Sequence, residues 1–268
     1  MTSLEKLSSY TLMLKENNHR LSFESSDTLK VPVQLLQFVL QNGLIQELRV
    51  FLALKKIHNT VYSSKETIYG LQHYLGYKSH KSVTNNLTRL KELGWVDFDR
   101  KTNLLFIKGF EALRKKLNLP IRTGVYLYHQ ELTDKYRFKA FAAGAVVNSL
   151  VNSQRRNIRQ LELLKGRSKE DGFIIKSGYC KVANAAVASV LQCSLGQAYN
   201  LKKLAAKYKY ITIKKNFIKT GVHIKDARLF AKGHPELVHL LARKNKELVI
   251  KDCDLVMGNM ESSRRVKI

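Results

Sequence analysis

Between residues 33 and 117, apolar positions recur at helical spacing and then switch to short strand-like runs. Pro32 starts the first helix, Val33, Leu36 and Leu40 follow one face, and Asn42-Gly43 ends it. Leu44–His58 carries apolar residues at 44, 45, 48, 51, 52 and 54, the broad stripe of a core helix. Ser63 or Ser64 caps the next helix, and Gly76 closes it. Another opens at Ser79 or Lys81, places Val83, Leu87, Leu90 and Leu93 on one side, and stops at Gly94. Trp95–Phe98 and Leu104–Lys108 read as strands around the polar turn Asp99–Asn103.

A second round follows. Residues 118–135, with Pro120, Gly124 and a strand-like Val125–His129, read as a linker. A long helical pattern runs from Tyr136 to about Leu164, then a polar loop Gly166–Gly172 and a short strand Phe173–Ile175. Val182–Leu191 and Gln197–Tyr208 are helical, the latter with Ala198, Leu201, Leu204 and Ala205 expected inward. Tyr210–Ile213 is a strand, Lys214-Lys215-Asn216 a basic turn and Phe217–Ile224 the return. Asn86, Leu87 and Leu90 match Asn200, Leu201 and Leu204 at an offset of 114. Such an internal repeat favours two related units. Pro235–Val249 reads as one or two closing helices, and Arg264–Lys267 as a basic tail. Leu4, Leu7 and Leu12 suggest a short helix in an N-terminal arm, followed by a strand or loop over Leu21–Lys30. The expected division is an arm (1–32), a first domain (33–117), a linker (118–135), a second domain (136–225) and a C-terminal helix with tail (226–268). The fold class is mainly α with small β-hairpins, α+β.

The stretch SHKSVTNNLTRLKELGWVDFDRKTNLLFI resembles the winged-helix family: a helix ending L-x-x-L-x-x-x-G, an apolar strand, a basic turn and a second strand. Two such units in tandem resemble plasmid replication initiators and are also compatible with transcription regulators of phages or mobile elements. The resemblance implies sequence-specific binding of double-stranded DNA, in replication initiation or transcription regulation.

Charge points the same way. Lys and Arg number 47 against 21 Asp and Glu, a formal +26 over 268 residues. Residues 121–268 carry net +18 of it. Such an excess repels itself unless a polyanion neutralises it, so nucleic acid is the leading partner, ahead of an anionic membrane or a ribosome. The longest apolar stretch, around Phe141–Val147, is far short of a membrane span, and Met1–Tyr10 lacks a signal-peptide pattern. Cys180, Cys193 and Cys253 form no C-x-x-C, which suits a reducing compartment, and Cys180 and Cys193 are expected as small core residues. The expectation is a soluble cytoplasmic or nucleoid-associated protein without cofactor or metal; a homodimer is compatible with it.

The inward set on the first recognition helix leaves Lys81, Ser82, Asn85, Asn86 and Arg89 outward, with Lys78, Ser79 and His80 at its N-terminus. Asn pairs with adenine and Arg with guanine in the major groove, and helix N–H groups favour phosphate. The second helix offers Gln197, Tyr199, Asn200, Lys203 and Lys207, with Lys202 also expected to suit backbone contact. The turns offer Arg100 and Lys101, and Lys214 and Lys215. Arg155, Arg156 and Arg159 cluster within about one helical turn. Each set has a plain alternative, a solvated polar face. Trp95 is expected in the core. No P-loop or G-x-G-x-x-G occurs, and His234 and His239 are five apart with Pro235 between, so no enzyme is indicated. The competing classes are an assembly protein that uses such helices for protein contacts, and an RNA-binding module.

Overall fold

The computed structural model describes residues 28–57, 59–120, 123–164 and 178–263. The helix expected around Leu4–Leu12, most of the strand or loop over Leu21–Lys30, the loop Gly166–Gly172, the strand Phe173–Ile175 and the tail Arg264–Lys267 lie outside them. The chain is mixed α and β with small antiparallel sheets. It divides into two compact units, one of residues up to Val146 with those from Met260, the other Val147–Asn259.

The first unit opens with β1 (Leu29–Pro32), α1 (Val33–Asn42) and α2 (Ile45–Ile57). Gly43 ends α1 at φ 70, a left-handed conformation that glycine adopts without a Cβ clash. Then come β2 (Thr60–Tyr62), α3 (Lys65–Tyr74), α4 (His80–Glu92), β3 (Val96–Asp99), β4 (Leu104–Ile107) and α5 (Phe110–Leu117). β4 is central, flanked antiparallel by β2 and β3. Val83, Leu87 and Leu90 of α4 are buried, the inward face expected from their spacing. Trp95 is fully buried and meets Phe51 of α2 edge-on, ring centroids 5.6 Å apart, a favoured aromatic geometry.

The segment read as a linker is part of this unit. β5 (Gly124–Leu127) pairs with β1, and α6 (His129–Thr133) follows. β10 (Ser262–Ser263) covers the other edge of β5. Val125, Leu127 and Leu132 are fully buried. Pro and Gly signalled a break, but β5 is a strand completed by partners about 95 positions before it and about 138 after it, beyond the reach of local patterning. Arg49 of α2, 2% exposed, anchors the region. Its guanidinium donates to the carbonyls of Leu75 (2.7 Å), Leu132 (2.6 Å) and Thr133 (3.2 Å), the ends of α3 and α6.

α7 (Lys135–Leu164) begins in the first unit and continues into the second. The second unit adds β6 (Cys180–Lys181), α8 (Asn184–Leu191), α9 (Leu195–Lys207), β7 (Ile211–His223), a 3-10 turn (Ile224–Asp226), α10 (Ala227–Gly233), a second 3-10 stretch (Pro235–Leu240), β8 (Leu241–Lys244) and β9 (Glu247–Gly258). Its sheet order, β6-β9-β7, reproduces β2-β4-β3: the last strand lies between the first and the middle one.

Two expectations are corrected here. Lys214-Lys215-Asn216 is no turn; it lies inside the thirteen-residue β7, whose return is β9. The expected closing helix Pro235–Val249 is a 3-10 stretch, then β8 and the start of β9. The two strands are joined through Asn245 and Lys246, both at positive φ, the geometry of a tight hairpin turn. The second unit therefore runs well past residue 225. Among the described residues, no helix is long and apolar enough to cross a membrane.

Candidate nucleic-acid interface

In the first unit, α3 and α4 are joined by a short turn, and each is capped by a serine. Ser64 accepts from the Thr67 N–H and Ser79 from the Lys81 N–H, each at 3.2 Å. Because Val83, Leu87 and Leu90 face the core, Lys81, Asn85 and Arg89 project into solvent on the opposite side of α4. Lys78 and His80 are exposed at its start, where the His80 ring packs on Tyr69. Arg89 pairs with Glu92 at 2.9 Å, both side chains more than half exposed; such a pair is weak and exchanges readily for a phosphate or a base.

Ser82 and Asn86 are half-buried. The Asn86 carboxamide donates to the Ser82 carbonyl (2.8 Å) and lies 3.4 Å from the Tyr77 hydroxyl. Asn86, expected outward to read adenine, has both its N–H donors committed to its own fold. At about 100° per residue it falls on the flank of the helix, beside buried Val83, Leu87 and Leu90.

Arg100 and Lys101 stand exposed on the β3–β4 turn. The Asp99 carboxylate accepts from the Thr102 hydroxyl (2.7 Å) and the Lys101 N–H (2.9 Å). Those hydrogen bonds hold its carboxyl below the usual range and fix the turn. Lys91 lies 3.9 Å from the Phe98 ring centroid, beside this turn.

In the second unit, α9 is capped by Ser194, and the Gln197 carboxamide oxygen accepts from the Ser194 N–H at 3.2 Å. Gln197, expected to contact DNA, is thus committed by its oxygen to the cap. Tyr199, Asn200, Lys203 and Lys207 are exposed. The buried positions of α9 are Ala198, Lys202 and Ala205; Leu201 and Leu204, expected inward, are only half-buried. The helices thus correspond at a separation of 115 residues (Ser79 to Ser194, Leu87 to Lys202, Leu90 to Ala205) rather than 114. The terminators agree: Gly94 at φ 60 matches Lys209 at φ 64.

This register puts a lysine where the first unit has a leucine. Lys202 is 1% exposed. Its ammonium donates to the Val182 carbonyl (2.8 Å) and pairs with Asp254 (2.9 Å). It therefore offers nothing to DNA, contrary to expectation. Asp254 also pairs with Lys215 at 2.9 Å. Burial pushes the Asp254 carboxyl up, but its hydrogen bonds from Lys215 and Lys202 outweigh this and hold it below the usual range. Lys215 is thereby neutralised, and Lys214 sits 4.4 Å from the Tyr179 ring centroid. Neither is at a hairpin tip.

The arginine cluster does not act as one surface. Arg155 is half-buried and donates to the Gly178 carbonyl. Arg156 donates to the Asn152 carbonyl at 3.3 Å, and Arg159 is exposed. Cys180 is buried and Cys193 half-buried, both free thiols. Among the described residues no cluster of His, Cys, Asp and Glu has the makings of a metal site.

Sequence reasoning missed Lys219, Lys244 and Lys251, exposed on β7, β8 and β9. The signals were the run Leu248-Val249-Ile250, a strong β-former, and Asn245, a residue that tolerates positive φ. Comparison of the chain with protein families, curated proteins and solved structures finds no match.

Proposed function

We propose that the protein binds double-stranded DNA in a sequence-specific manner and without catalysis, that both units are winged helices, and that α4 enters the major groove. The observation that carries this reading is the solvent face of α4, with Lys81, Asn85 and Arg89 side by side and the Arg100-Lys101 turn in the same unit. A major groove about 12 Å wide admits one helix, and those side chains suit base edges and phosphates. On α9 the exposed set of Tyr199, Asn200, Lys203 and Lys207 is richer in lysine, better matched to backbone than to bases. A formal charge of +26 supplies the sequence-independent attraction. The role we assign is replication initiation or transcription regulation of a plasmid, phage or mobile element, in the cytoplasm or on the nucleoid.

The test is selection of bound sequences from random duplex DNA, followed by titration in salt. An enriched motif and an affinity falling on the order of 10³–10⁵-fold between 50 and 200 mM salt are expected for roughly 6–10 phosphate contacts. A flat salt response rules the reading out. The assembly-protein alternative draws on Leu229 (75% exposed) and Val238 (51% exposed), aliphatic side chains in α10 and the 3-10 stretch after it; it predicts a protein partner and no selected motif.

A further inference from the structure

The long hairpin of the second unit divides its lysines into two groups. Near the core Lys181, Lys202 and Lys215 have carboxylates, and Lys214 packs on the Tyr179 ring. Asp254 takes Lys202 and Lys215, and Asp252 takes Lys181 at 2.6 Å. Farther out the acids run out. Lys219, Lys244 and Lys251 are exposed, and among the described residues none of them forms an ion pair.

These three share one face. Strand residues alternate, so Lys215, Phe217 and Lys219 of β7 point the same way. Across the ladder Phe217 faces Lys251, Lys219 faces Val249, and Val249 faces Ala242 of β8, two residues before Lys244. The irregularity between Lys214 and Asn216 sets this phase, placing Lys215 against Asp254. The Lys244 ammonium lies 4.9 Å from the centroid of the Phe217 ring, directly cross-strand from Lys251. One lysine is therefore held on an apolar ring whose cross-strand neighbour is a second lysine. At the outer end of this face Glu247 stands opposite Lys244 and His223 and, among the described residues, forms no ion pair with either.

Phe217 and Lys251 also line a cleft of about 500 Å³, shared with Ala183 and Asn184 at the start of α8 and with Asp252 and Asp254. Along the ribbon the face carries lysine but no Arg, Asn or Gln, the residues that read base edges in pairs. Along β9 the three lysines span Lys251 to Glu247, the partner of Lys244, four residues or roughly 13 Å at 3.3 Å per residue.

We infer that the outer hairpin face bearing Lys219, Lys244 and Lys251 is a sequence-independent docking surface for the phosphate backbone of duplex DNA. This rests on the duplex-binding reading and assigns a division of labour within it. Sequence is read in the first unit, and the hairpin supplies affinity along the backbone.

The test uses the full chain and a random-sequence 40-base-pair duplex, with binding measured between 50 and 200 mM salt. Two triple variants that lose equal charge are compared: Lys219→Gln/Lys244→Gln/Lys251→Gln, and Lys115→Gln/Lys116→Gln/Lys139→Gln in the first unit. A thermal melt checks that each is folded, and an Arg triple at 219, 244 and 251 keeps the charge. With about 0.9 in salt slope per phosphate contact, the hairpin triple should flatten the slope by roughly two to three, while the control and the Arg triple stay near the parent. A parent that responds steeply, with a hairpin triple indistinguishable from the control, overturns the hairpin inference and leaves duplex binding standing. A parent with no salt response overturns both.

Discussion

The two units solve one packing problem in opposite ways. Each presents a serine-capped helix beside a sheet with one shared order, β2-β4-β3 and β6-β9-β7, to which the second unit adds β8. At the centre of the helix the first unit buries Leu87 and the second buries Lys202. Leucine gains by leaving water. A buried ammonium costs several kcal/mol unless paired, so the second unit had to bring Asp254 to it from β9. That carboxylate can reach Lys202 only because β9 runs beside β7 along a long hairpin, where the first unit has a four-residue turn between strands. A repeated backbone does not imply a repeated core. One charge in the interior brought with it a specific strand register.

The largest expected effect breaks the second unit alone. Asp254→Ala strands the Lys202 ammonium and should cost about 3–5 kcal/mol, read by denaturant titration. The double variant Lys202→Met/Asp254→Leu should be close to neutral, since apolar side chains then replace both buried charges and the cost of burying them. If Asp254→Ala is silent, the pair is not what holds the hairpin to α9.

Leu90→Ala should cost about 2–5 kcal/mol in the first unit, the range for truncating a fully buried leucine. The matching position of the second unit is already alanine, Ala205, so a full leucine there should overpack by about 1–3 kcal/mol. Equal tolerance at both positions would mean that the two helices do not correspond at 115 residues.

For DNA, Arg89→Ala should relax base preference by roughly 1–3 kcal/mol at one base pair, measured as affinity for selected against random duplex. Asn86→Ala should leave base preference unchanged and instead loosen the contact with Tyr77. Equal losses of Arg89→Ala on both duplexes would remove base reading from α4.

The units should also separate by pH. Asp252 and Asp254 sit below the usual carboxyl range in the fold. Their contribution is present above the unfolded value, near 3.8, and is lost as pH falls through the lower folded values, weakening the second unit in acid. Burial raises Tyr74 and Tyr77 from 10 to about 12. Their contribution is intact below pH 10 and lost as pH rises toward 12, weakening the first unit in alkali. Fluorescence of Trp95, the single tryptophan and a core residue of the first unit, should report the alkaline transition. The smallest effect is Lys101→Ala, which should leave stability within about 0.5 kcal/mol while weakening DNA binding.

What the chain determined by itself is what lies within one turn of helix or one short hairpin. Ser64, Ser79, Gly43 and Gly94 were legible as caps because capping is a contact between neighbours. The α4 core face was legible because Val83, Leu87 and Leu90 repeat at steps of three and four. The β3–β4 hairpin was legible because two apolar runs flank a polar turn. Tertiary structure alone decided the rest. β5 gains its status from β1 and β10, far off in sequence. Lys202 reads as a surface lysine until Asp254, fifty residues on, is placed against it. Lys214-Lys215-Asn216 reads as a turn because its polarity looks like a break, whereas the break is a local irregularity in a strand whose partner arrives after residue 246. Helical hydrogen bonds close over four residues and leave a periodic trace in the sequence. A strand's partner, its register and the charge it brings are chosen by residues the local pattern does not contain.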